Sequence, residues 1–279
     1  MQSLYHTRGF WRAGAAPVWH HLHRMVSDPA YRALHRFNRH LRRVPRFTPA
    51  TVFFGGKPIR LCDGPSFLSA WDEIFVHRIY DLGDLPARPR LVDAGANVGL
   101  AALYWRWRYG EIRYLGFEPD PDIAAVCRAN LGAWNVQGSL IEVAVGAQAG
   151  EACFVRDGAD GGRLAGSVSG GGRSEVVVKV VDLREYLDGA IDLLKIDIEG
   201  AEAAVLPGLG VAMENVRSLF VEWHCPSDGP SGLGDAVNML ERWGFTVMVQ
   251  TVSWSDRPFA AARQSGAFRQ QLNLYASRR

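Results

Sequence analysis

The amino-acid sequence predicts an α/β protein built around a mostly parallel β-sheet. From residue 90 onward, short apolar strand patterns alternate with helix patterns, an order typical of parallel sheets whose strands are joined by helices. Several strand patterns run directly into loops that contain glycine or acidic residues, as in DLLKIDIEG over residues 192–200. Because ligands bind beyond the carboxyl ends of the strands in such sheets, these loops are the expected place for a functional site.

The elements follow one another in the order that such a sheet requires. Strands are predicted over RLVDAG (90–95), RYLGFEP (113–119), SLIEVAVG (139–146), ACFVRDG (152–158), EVVVKVVDL (175–183), DLLKID (192–197) and SLFVEWHC (218–225). Helices are predicted over SAWDEIFVHRIYDLGD (69–84), VGLAALYWRWRYG (98–110), DIAAVCRANLGAW (122–134), GAEAAVLPG (200–208) and LGDAVNMLERWG (233–244). The last two apolar runs, 245–254 and 270–277, predict a closing antiparallel hairpin, with Trp254 near the expected functional site. Residues 157–175 predict a loop rich in glycine and serine.

A basic helical extension, residues 1–50, is predicted to precede a main domain over 51–279 whose core spans 70–223. Residues 1–46 contain nine arginines, no lysine and one acid, Asp28. The pattern over residues 29–44 predicts an amphipathic helix, which could contact anionic lipid or a polyanionic substrate, or simply pack on the main domain with a solvated basic face. No nucleic acid is expected as a partner, because no stacking platform or binding motif accompanies the arginines.

The composition indicates a protein of a reducing compartment. No apolar run approaches the roughly 20 residues of a membrane span, and the N-terminus lacks the clean apolar core of a signal peptide. The four cysteines are far apart and have no C-x-x-C spacing. We therefore expect a cytoplasmic protein, either free or held at the inner face of a membrane by its basic arm; a homo-oligomer is left open.

The loop after the first sheet strand carries the pattern expected of a nucleotide-type cofactor site. Asp93, Gly95, Asn97 and Gly99 lie where the strand 90–95 turns into a helix, and Glu118 ends the next strand, where a carboxylate can accept both hydroxyls of a ribose. The G-x-G-x-x-G pattern of dinucleotide sites is absent. An acid at the start of the loop would repel a pyrophosphate and suits a cationic ligand such as the sulfonium of S-adenosylmethionine. These residues therefore favour a methyl donor over NAD, and a dehydrogenase is the weakest interpretation.

An ordered set of motifs resembles the FkbM family of S-adenosylmethionine-dependent methyltransferases. The motifs are DAGANVGL (93–100), FEPDP (117–121), NL (130–131), EVAVG (142–146), VDL (181–183), LLKIDIEGAEAAVLPGL (193–209) and FVEWH (220–224). The resemblance implies a Rossmann-like class I methyltransferase fold, with a seven-stranded, mostly parallel sheet and a C-terminal antiparallel hairpin. It also implies O-methylation of a hydroxyl on a sugar, a glycan or a polyketide-like metabolite.

Carried over position by position, the resemblance assigns donor-binding roles along the chain. The residues concerned are Glu73, Tyr80, Asp93, Gly95, Ala96, Asn97, Gly99, Glu118, Pro119, Asp120 and Ala144. Among them Glu118 would hold the ribose and Ala144 would lie near the adenine, whereas Glu73 and Tyr80 would cover the donor from the N-terminal side.

Four ionisable residues end the two strands that follow, and they are the candidates for chemistry on the acceptor. Asp197 and Glu199 flank Ile198, and Glu222 and His224 end the next strand with the same spacing. Asp197, Glu199 or His224 could take the proton of an acceptor hydroxyl, and the ordinary pKa of histidine suits a base near neutrality. Asp197 and Glu222 could instead hold Mg²⁺ or Ca²⁺, and Glu199 could merely cap the helix predicted at residue 200.

Two further charged residues are expected to have structural roles. Glu202 is expected on the exposed face of the helix 200–208, and Lys195 is expected to extend to solvent or to pair with an acid.

The leading interpretation of the whole sequence is an O-methyltransferase that uses S-adenosylmethionine and acts on a sugar, a glycan or a glycosylated metabolite. The alternatives are methylation of a polyketide-like or lipid hydroxyl, and a non-catalytic module that binds S-adenosylmethionine.

Overall fold

The main sheet has the architecture that the sequence predicts. The computed structural model describes residues 16–156, 162–164, 174–252 and 268–278. Its strands are β1 Ala50–Phe54, β2 Lys57–Leu61, β3 Arg90–Ala94, β4 Arg113–Phe117, β5 Gly138–Ile141, β6 Ala144–Gly146, β7 Gly150–Arg156, β8 Arg163–Leu164, β9 Ser174–Asp182, β10 Ile191–Ile196, β11 Val216–Pro226, β12 Thr246–Thr251 and β13 Phe268–Ser277. Its α-helices are α1 Ala16–Ser27, α2 Pro29–Leu41, α3 Gly64–Trp71, α4 Leu100–Tyr109, α5 Pro121–Ala133, α6 Glu202–Val205 and α7 Leu233–Arg242. A π-helical turn covers Asp72–Val76, a 3-10 turn covers Leu183–Tyr186, and a 3-10 segment with a kink at Gly210 covers Leu206–Asn215.

Seven strands form the main sheet in the order β12-β13-β11-β10-β3-β4-β5. The pairs β11-β10, β10-β3, β3-β4 and β4-β5 are parallel, and β13 runs antiparallel to both of its neighbours. The direction of winding reverses between β3 and β10, so a crevice opens there at the carboxyl edge of the sheet. This arrangement confirms the predicted Rossmann-like class I methyltransferase fold and its closing antiparallel hairpin.

Three predicted strand segments take part in a second sheet that the sequence pattern did not separate from the first, and its fourth strand, β8, lies where the sequence predicted only a loop. This sheet has the order β6-β9-β7-β8. The single strand predicted over 139–146 is wrong, because the chain turns after Ile141: the N–H of Val143 donates back to the Ile141 carbonyl at 3.0 Å. Residues before the turn extend the main sheet as β5, and those after it begin the second sheet as β6. Most of the predicted glycine-rich loop, and Trp254, lie outside the described residues.

The helix predicted over 69–84 is also wrong in its position. The helix begins earlier, because the side chain of Asp63 accepts a hydrogen bond from the N–H of Ser66 and Pro65 occupies the first turn. It changes into a π-helical turn at Asp72 and ends at Val76. Arg78 then takes a left-handed backbone conformation with φ of 57°, which no α-helix accommodates.

The basic arm is joined to the main domain through α2. Ala30, Ala33, Phe37 and Leu41 on this helix are buried in the core that covers one face of the main sheet, and the indole N–H of Trp71 donates to the Ala30 carbonyl at 3.0 Å. Asp28 caps the helix by accepting from two backbone N–H groups. Within the described ranges, no helix has the length and apolar character needed to cross a membrane.

Candidate active site

Two adjoining clefts open at the carboxyl edge of the main sheet. The first cleft has about 710 Å³ of empty space and the second about 1260 Å³, part of it open to solvent in each. They share four residues from the loops that follow β3 and β10: Gly95, Asn97, Asp197 and Glu199. A molecule that spans both clefts must therefore pass between these two loops.

The loop after β3 is folded so tightly that only glycine fits at its turn. Gly95 has φ of +88°, and its N–H and that of Ala96 donate to the carbonyl of Phe117 at 3.1 and 2.8 Å. A Cβ atom on Gly95 would lie 1.8 Å from the carbonyl oxygen of Asp197. The close approach of the two loops therefore depends on the missing side chain.

The other positions of this loop divide between the clefts and the packing below them. Ala96 and Asn97 line the second cleft, and Asn97 also lines the first. Gly99 lines neither cleft; a Cβ atom there would lie 3.0 Å from the sulfur of Cys127, so this glycine lets α4 pack closely on α5.

Glu118 connects the two loops that border the first cleft. One of its carboxylate oxygens accepts from the N–H of Asn97 and the other from the N–H of Asp120, both at 2.9 Å. Burial raises the pKa of Glu118 to about 7, although the two backbone donors act in the opposite direction. The carboxyl group therefore changes its charge close to neutral pH while it remains on the wall of the cleft.

The rest of the first cleft is formed by predicted residues together with the second sheet. Pro119, Asp120 and Ala144 line it, as the sequence analysis expected. Sequence reasoning missed Phe154 and Leu164, which lie on β7 and β8 and give the cleft an apolar wall. The strand pattern of β7 carries no signal that it folds against this site, and β8 lies in a segment predicted as a loop; the pairing of the second sheet brings both strands there.

Asp120 is held from the second sheet as well. Its side chain caps α5 and accepts two hydrogen bonds from the guanidinium of Arg156, at 2.6 and 2.8 Å. Only 7% of the Asp120 side chain is exposed, so this fork is largely shielded from water. Arg156 thereby fixes the turn that follows β4.

Asp93 lies beneath the site and lines neither cleft. Asp93 is completely buried. One of its carboxylate oxygens accepts a hydrogen bond from the hydroxyl of Tyr114 at 2.9 Å, and the ammonium of Lys195 lies 3.1 Å from the other oxygen. Lys195 also donates to the carbonyl of Gly95 at 2.8 Å and lies 3.4 Å from Asp197. Burial lowers the pKa of Lys195, but the carboxylates of Asp93 and Asp197 outweigh this effect and raise it above the ordinary value.

This arrangement changes the electrostatic argument drawn from the sequence. The charge of Asp93 is balanced by Lys195 rather than directed at a ligand, and of the two expected roles for Lys195 the structure shows the ion pair. The negative charge of the site comes instead from acids that lie at the ends of β10 and β11.

Asp197 and Glu199 line both clefts where these join, and His224, which is buried and lines neither cleft, lies next to them. One ligand atom from each of these residues lies within 4.8 Å of those of the other two. The strand ends at Ile196, so the simple alternation assumed for Asp197 and Glu199 does not extend this far. Glu199 reaches the cluster because its backbone takes a left-handed conformation with φ of 55°.

Glu202 is part of this cluster, and its predicted exposure on a helix is wrong. Only 1% of the residue is exposed, and its carboxylate accepts from the N–H groups of Ile198 and Gly200 and lies 3.1 Å from Nδ1 of His224. Its position in the first turn of α6, where an acid can bond to free N–H groups, was the available signal. The contact with His224 depends on β11 and could not be seen locally.

The neighbouring acids change the pKa of His224. Burial lowers the pKa of His224, but the hydrogen bond with Glu202 and the charges of Glu199 and Asp197 raise it to about 10. The expectation of a pKa near neutrality, based on the isolated side chain, therefore does not hold in this surrounding.

The second cleft brings together the remaining predicted residues. Glu73, from the π-helical turn, and Tyr80 line it on one side, and Glu222 lines it from β11. Burial raises the pKa of Glu222 well above its ordinary value, and the neighbouring charge of Asp197 adds to the increase. Sequence reasoning missed Ser66 and Gln271, which line the same cleft.

Comparison with known proteins identifies the family. The family model of the methyltransferase FkbM domain matches residues 93–247 of this chain. Methyltransferase sdnD of Sordaria araneosa is 30% identical over 228 residues, which cover 68% of this chain and 86% of that protein. The 31-O-demethyl-FK506 methyltransferase FkbM of Streptomyces tacrolimicus is 30% identical, and the match covers 64% of this chain and 81% of that protein. The 2-O-methyltransferase NoeI of Sinorhizobium fredii is 29% identical, and the match covers 53% of this chain and 68% of that protein.

The matched residues include the last two residues of β3 together with β4, β10 and β11, and the ends of these strands contribute to the clefts. The family model thus covers more than half of the chain together with most of the site. The protein is a methyltransferase, and the chain belongs to the FkbM methyltransferase family.

Proposed function

We propose that this protein transfers the methyl group of S-adenosylmethionine to a hydroxyl group of a sugar, a glycan or a glycosylated metabolite. The observation that carries the proposal is the cluster of Asp197, Glu199 and His224 at the junction of the two clefts. Two of the relatives bear names that describe O-methylation, a 2-O-methyltransferase and a 31-O-demethyl-FK506 methyltransferase.

The first cleft has the chemistry that an adenosine requires. Phe154, Val143 and Ala144 offer apolar surface for a base, and Glu118 offers a carboxylate for two hydroxyl groups. The acids around Asp197 suit a cationic group at the junction. When bound there, S-adenosylmethionine supplies an electrophilic methyl group on a positively charged sulfur.

The residues at the junction would serve the acceptor. An attacking hydroxyl must lose its proton as the new oxygen–carbon bond forms, and a positioned base increases the rate of that step. Asp197 and Glu199 line both clefts and are half-buried, so either carboxylate can reach an acceptor in the second cleft. The raised pKa of His224 favours a carboxylate as the base, with the imidazolium balancing the negative charge around it.

A second candidate acceptor is a hydroxyl of a polyketide-like molecule or a lipid. The name of the relative from Streptomyces tacrolimicus favours it, since that protein methylates 31-O-demethyl-FK506. Transfer of a radiolabelled methyl group to panels of glycans, polyketides and lipids would distinguish the two acceptor classes. A third possibility, a non-catalytic binding module, would give donor binding without transfer to any panel.

We expect donor binding to depend on Glu118 and to strengthen as the pH rises through about 7. Protonation of Glu118 removes an acceptor from a carboxylate that already serves two backbone donors, so affinity should fall below its pKa of about 7. Loss of charge-assisted hydrogen bonds costs about 1.5–3 kcal/mol, or roughly 10- to 150-fold in affinity. Calorimetric titration of S-adenosylmethionine into the wild type and into Glu118→Gln between pH 6 and 8.5 measures both effects.

The control for this experiment is Glu151→Gln, since Glu151 is an exposed acid on β7. It should bind the donor like the wild type, with the same pH dependence. Wild-type affinity in the Glu118→Gln protein would contradict the assignment of the first cleft.

We also propose that the basic arm contacts an anionic lipid surface. Trp19, Leu22 and Val26 lie on one face of α1 and are 69%, 56% and 80% exposed. The neighbouring arginines of α2 supply positive charge, and an apolar face flanked by basic residues is typical of helices that bind in the membrane interface.

Replacing these three side chains with serine should lower association with phosphatidylglycerol vesicles by at least about tenfold, because their apolar surface no longer enters the interface. Vesicle sedimentation measures the bound fraction. The control is Val177→Ser with Val211→Ser, since these two apolar residues are 69% and 82% exposed elsewhere on the surface. Equal binding by all three proteins, or binding unchanged by the charge of the lipid, would contradict the proposal.

A further inference from the structure

The cluster of Asp197, Glu199 and His224 has the composition of a metal site. Two carboxylates and one imidazole converge with their ligand atoms within 4.8 Å of one another. Asp197 and Glu199 lie in the loop that directly follows β10, and His224 lies on the neighbouring strand β11, whose register with β10 is fixed by the main sheet. Such a set of ligands, held by a rigid sheet edge and open to a cleft, can coordinate an ion and leave positions for a substrate.

The orientation of His224 is the independent observation. Its Nδ1 lies 3.1 Å from the carboxylate of Glu202, which is itself almost completely buried. Its Nε2 is buried and makes no hydrogen bond within the described part of the chain, although it lies 3.4 Å from an oxygen of Glu199. A carboxylate that holds one ring nitrogen so that the other faces a ligand is the usual support of a metal-binding histidine.

The charges around Nε2 point to a cationic ligand. Carboxylate oxygens of Glu199 and Glu222 lie 3.4 and 3.9 Å from it, and Asp197 completes the group. Lys195 lies 3.4 Å from Asp197, but it is closer to Asp93, whose charge it balances. Carboxylates held this close together in a half-buried site repel one another, and a cation between them reduces the repulsion; the imidazolium of His224 does so in the metal-free protein, and a metal ion would take its place.

We propose that Asp197, Glu199 and His224 bind one divalent metal ion, with Glu202 as the residue that positions His224. The inference rests on the proposed function, because the ion would lie where the acceptor hydroxyl must bind. A metal at this point lowers the pKa of a bound hydroxyl and so helps it to lose its proton. The metal ligand is the neutral imidazole, so binding displaces any proton on Nε2.

The ligand set differs from the Asp197 and Glu222 pair, and from the Mg²⁺ or Ca²⁺, considered from the sequence. Mg²⁺ and Ca²⁺ prefer oxygen ligands, whereas an imidazole together with carboxylates suits Mn²⁺ and its neighbours in the first transition row. Mn²⁺ is therefore the probe of choice, and it should bind more tightly than Ca²⁺.

The experiment is titration of Mn²⁺ into the full-length protein after removal of metals with EDTA, with free Mn²⁺ followed by electron paramagnetic resonance. We expect one ion per chain and an increase in thermal stability at saturating metal. Asp197→Asn and Glu199→Gln, both at half-buried positions, should weaken binding by at least about tenfold, and Glu202→Gln by about 10- to 100-fold. The matched control is Glu241→Gln, an exposed acid on α7, which should bind Mn²⁺ like the wild type.

A parallel titration with S-adenosylmethionine separates this inference from the proposed function. A protein that binds the donor but takes up no Mn²⁺ at millimolar concentration would overturn the metal site and leave the proposed function standing. Wild-type Mn²⁺ affinity in both Asp197→Asn and Glu199→Gln would overturn the assignment of ligands, and tighter binding of Ca²⁺ would exclude the imidazole as a ligand. Mn²⁺ binding without donor binding would support the metal site while contradicting the proposed function.

Discussion

Replacing Lys195 with methionine is expected to lower the free energy of unfolding by about 3–5 kcal/mol, because it leaves a buried carboxylate without its partner. Lys195 and Asp93 lie directly opposite each other on β10 and β3, and their side chains are 4% and 0% exposed. The same substitution removes the hydrogen bond from Lys195 to the carbonyl of Gly95. We therefore expect the loop between the two clefts to loosen as well, and donor binding to weaken.

Urea unfolding followed by circular dichroism measures this effect, and a double-mutant cycle with Asp93→Asn isolates the pair. The double variant should be more stable than the sum of the single losses predicts, since neither charge is then left alone. The control is Arg88→Met, because Arg88 and Glu111 form an exposed ion pair, with 62% and 67% of their side chains accessible. This control should lie within about 1 kcal/mol of the wild type. A Lys195→Met protein as stable as the control would contradict the argument.

The second large effect is expected for Gly95→Ala, which should abolish donor binding and lower the melting temperature by about 10 °C or more. The new Cβ would lie 1.8 Å from the carbonyl oxygen of Asp197 and 2.9 Å from its carbonyl carbon. Both are backbone atoms that cannot turn away, so the loops after β3 and β10 would have to separate. That movement would displace residues that line both clefts.

Gly83→Ala is the matched control for Gly95→Ala. Gly83 also has a positive φ, of 71°, but a Cβ atom there would meet nothing within 4 Å. It should show only the cost of a left-handed alanine, about 1–2 kcal/mol. Differential scanning calorimetry and donor titration of the two variants separate backbone strain from the clash. Equal losses in both would show that the approach of the two loops is not what requires glycine.

The sequence predicted the main sheet well because the order of strands and helices along the chain largely determines it. Glu118 lies on the wall of the first cleft as expected, since the rule that strand ends form the site depends only on knowing where β4 ends. The pairing of the second sheet could not be predicted in this way. β6, β7 and β9 fall within predicted strand patterns, but β8 lies in a segment predicted as a loop. The turn after Ile141 that detaches β6 from the main sheet depends on one backbone hydrogen bond.

The expectations for the surroundings of Asp93 and Glu202 fail for the same physical reason. Asp93 was expected to face a ligand, and Glu202 was expected to face water, because each was interpreted from its immediate neighbours. The partner of Asp93 lies about 100 residues further along the chain, on β10, and His224 lies 22 residues beyond Glu202, on β11. A local pattern shows that an acid is present, but only the register between strands shows which cation it meets.

The fork between Arg156 and Asp120 has a consequence for protein engineering. Peripheral modules are often exchanged between related enzymes to change what they bind, and residues 144–182, which contain the second sheet and line the first cleft, are a candidate for such a chimera. That segment supplies Arg156, however, while Asp120 stays with the recipient. A graft without a compatible arginine would leave a nearly buried carboxylate unmatched beside Glu118, so the two positions should be inherited together as one unit.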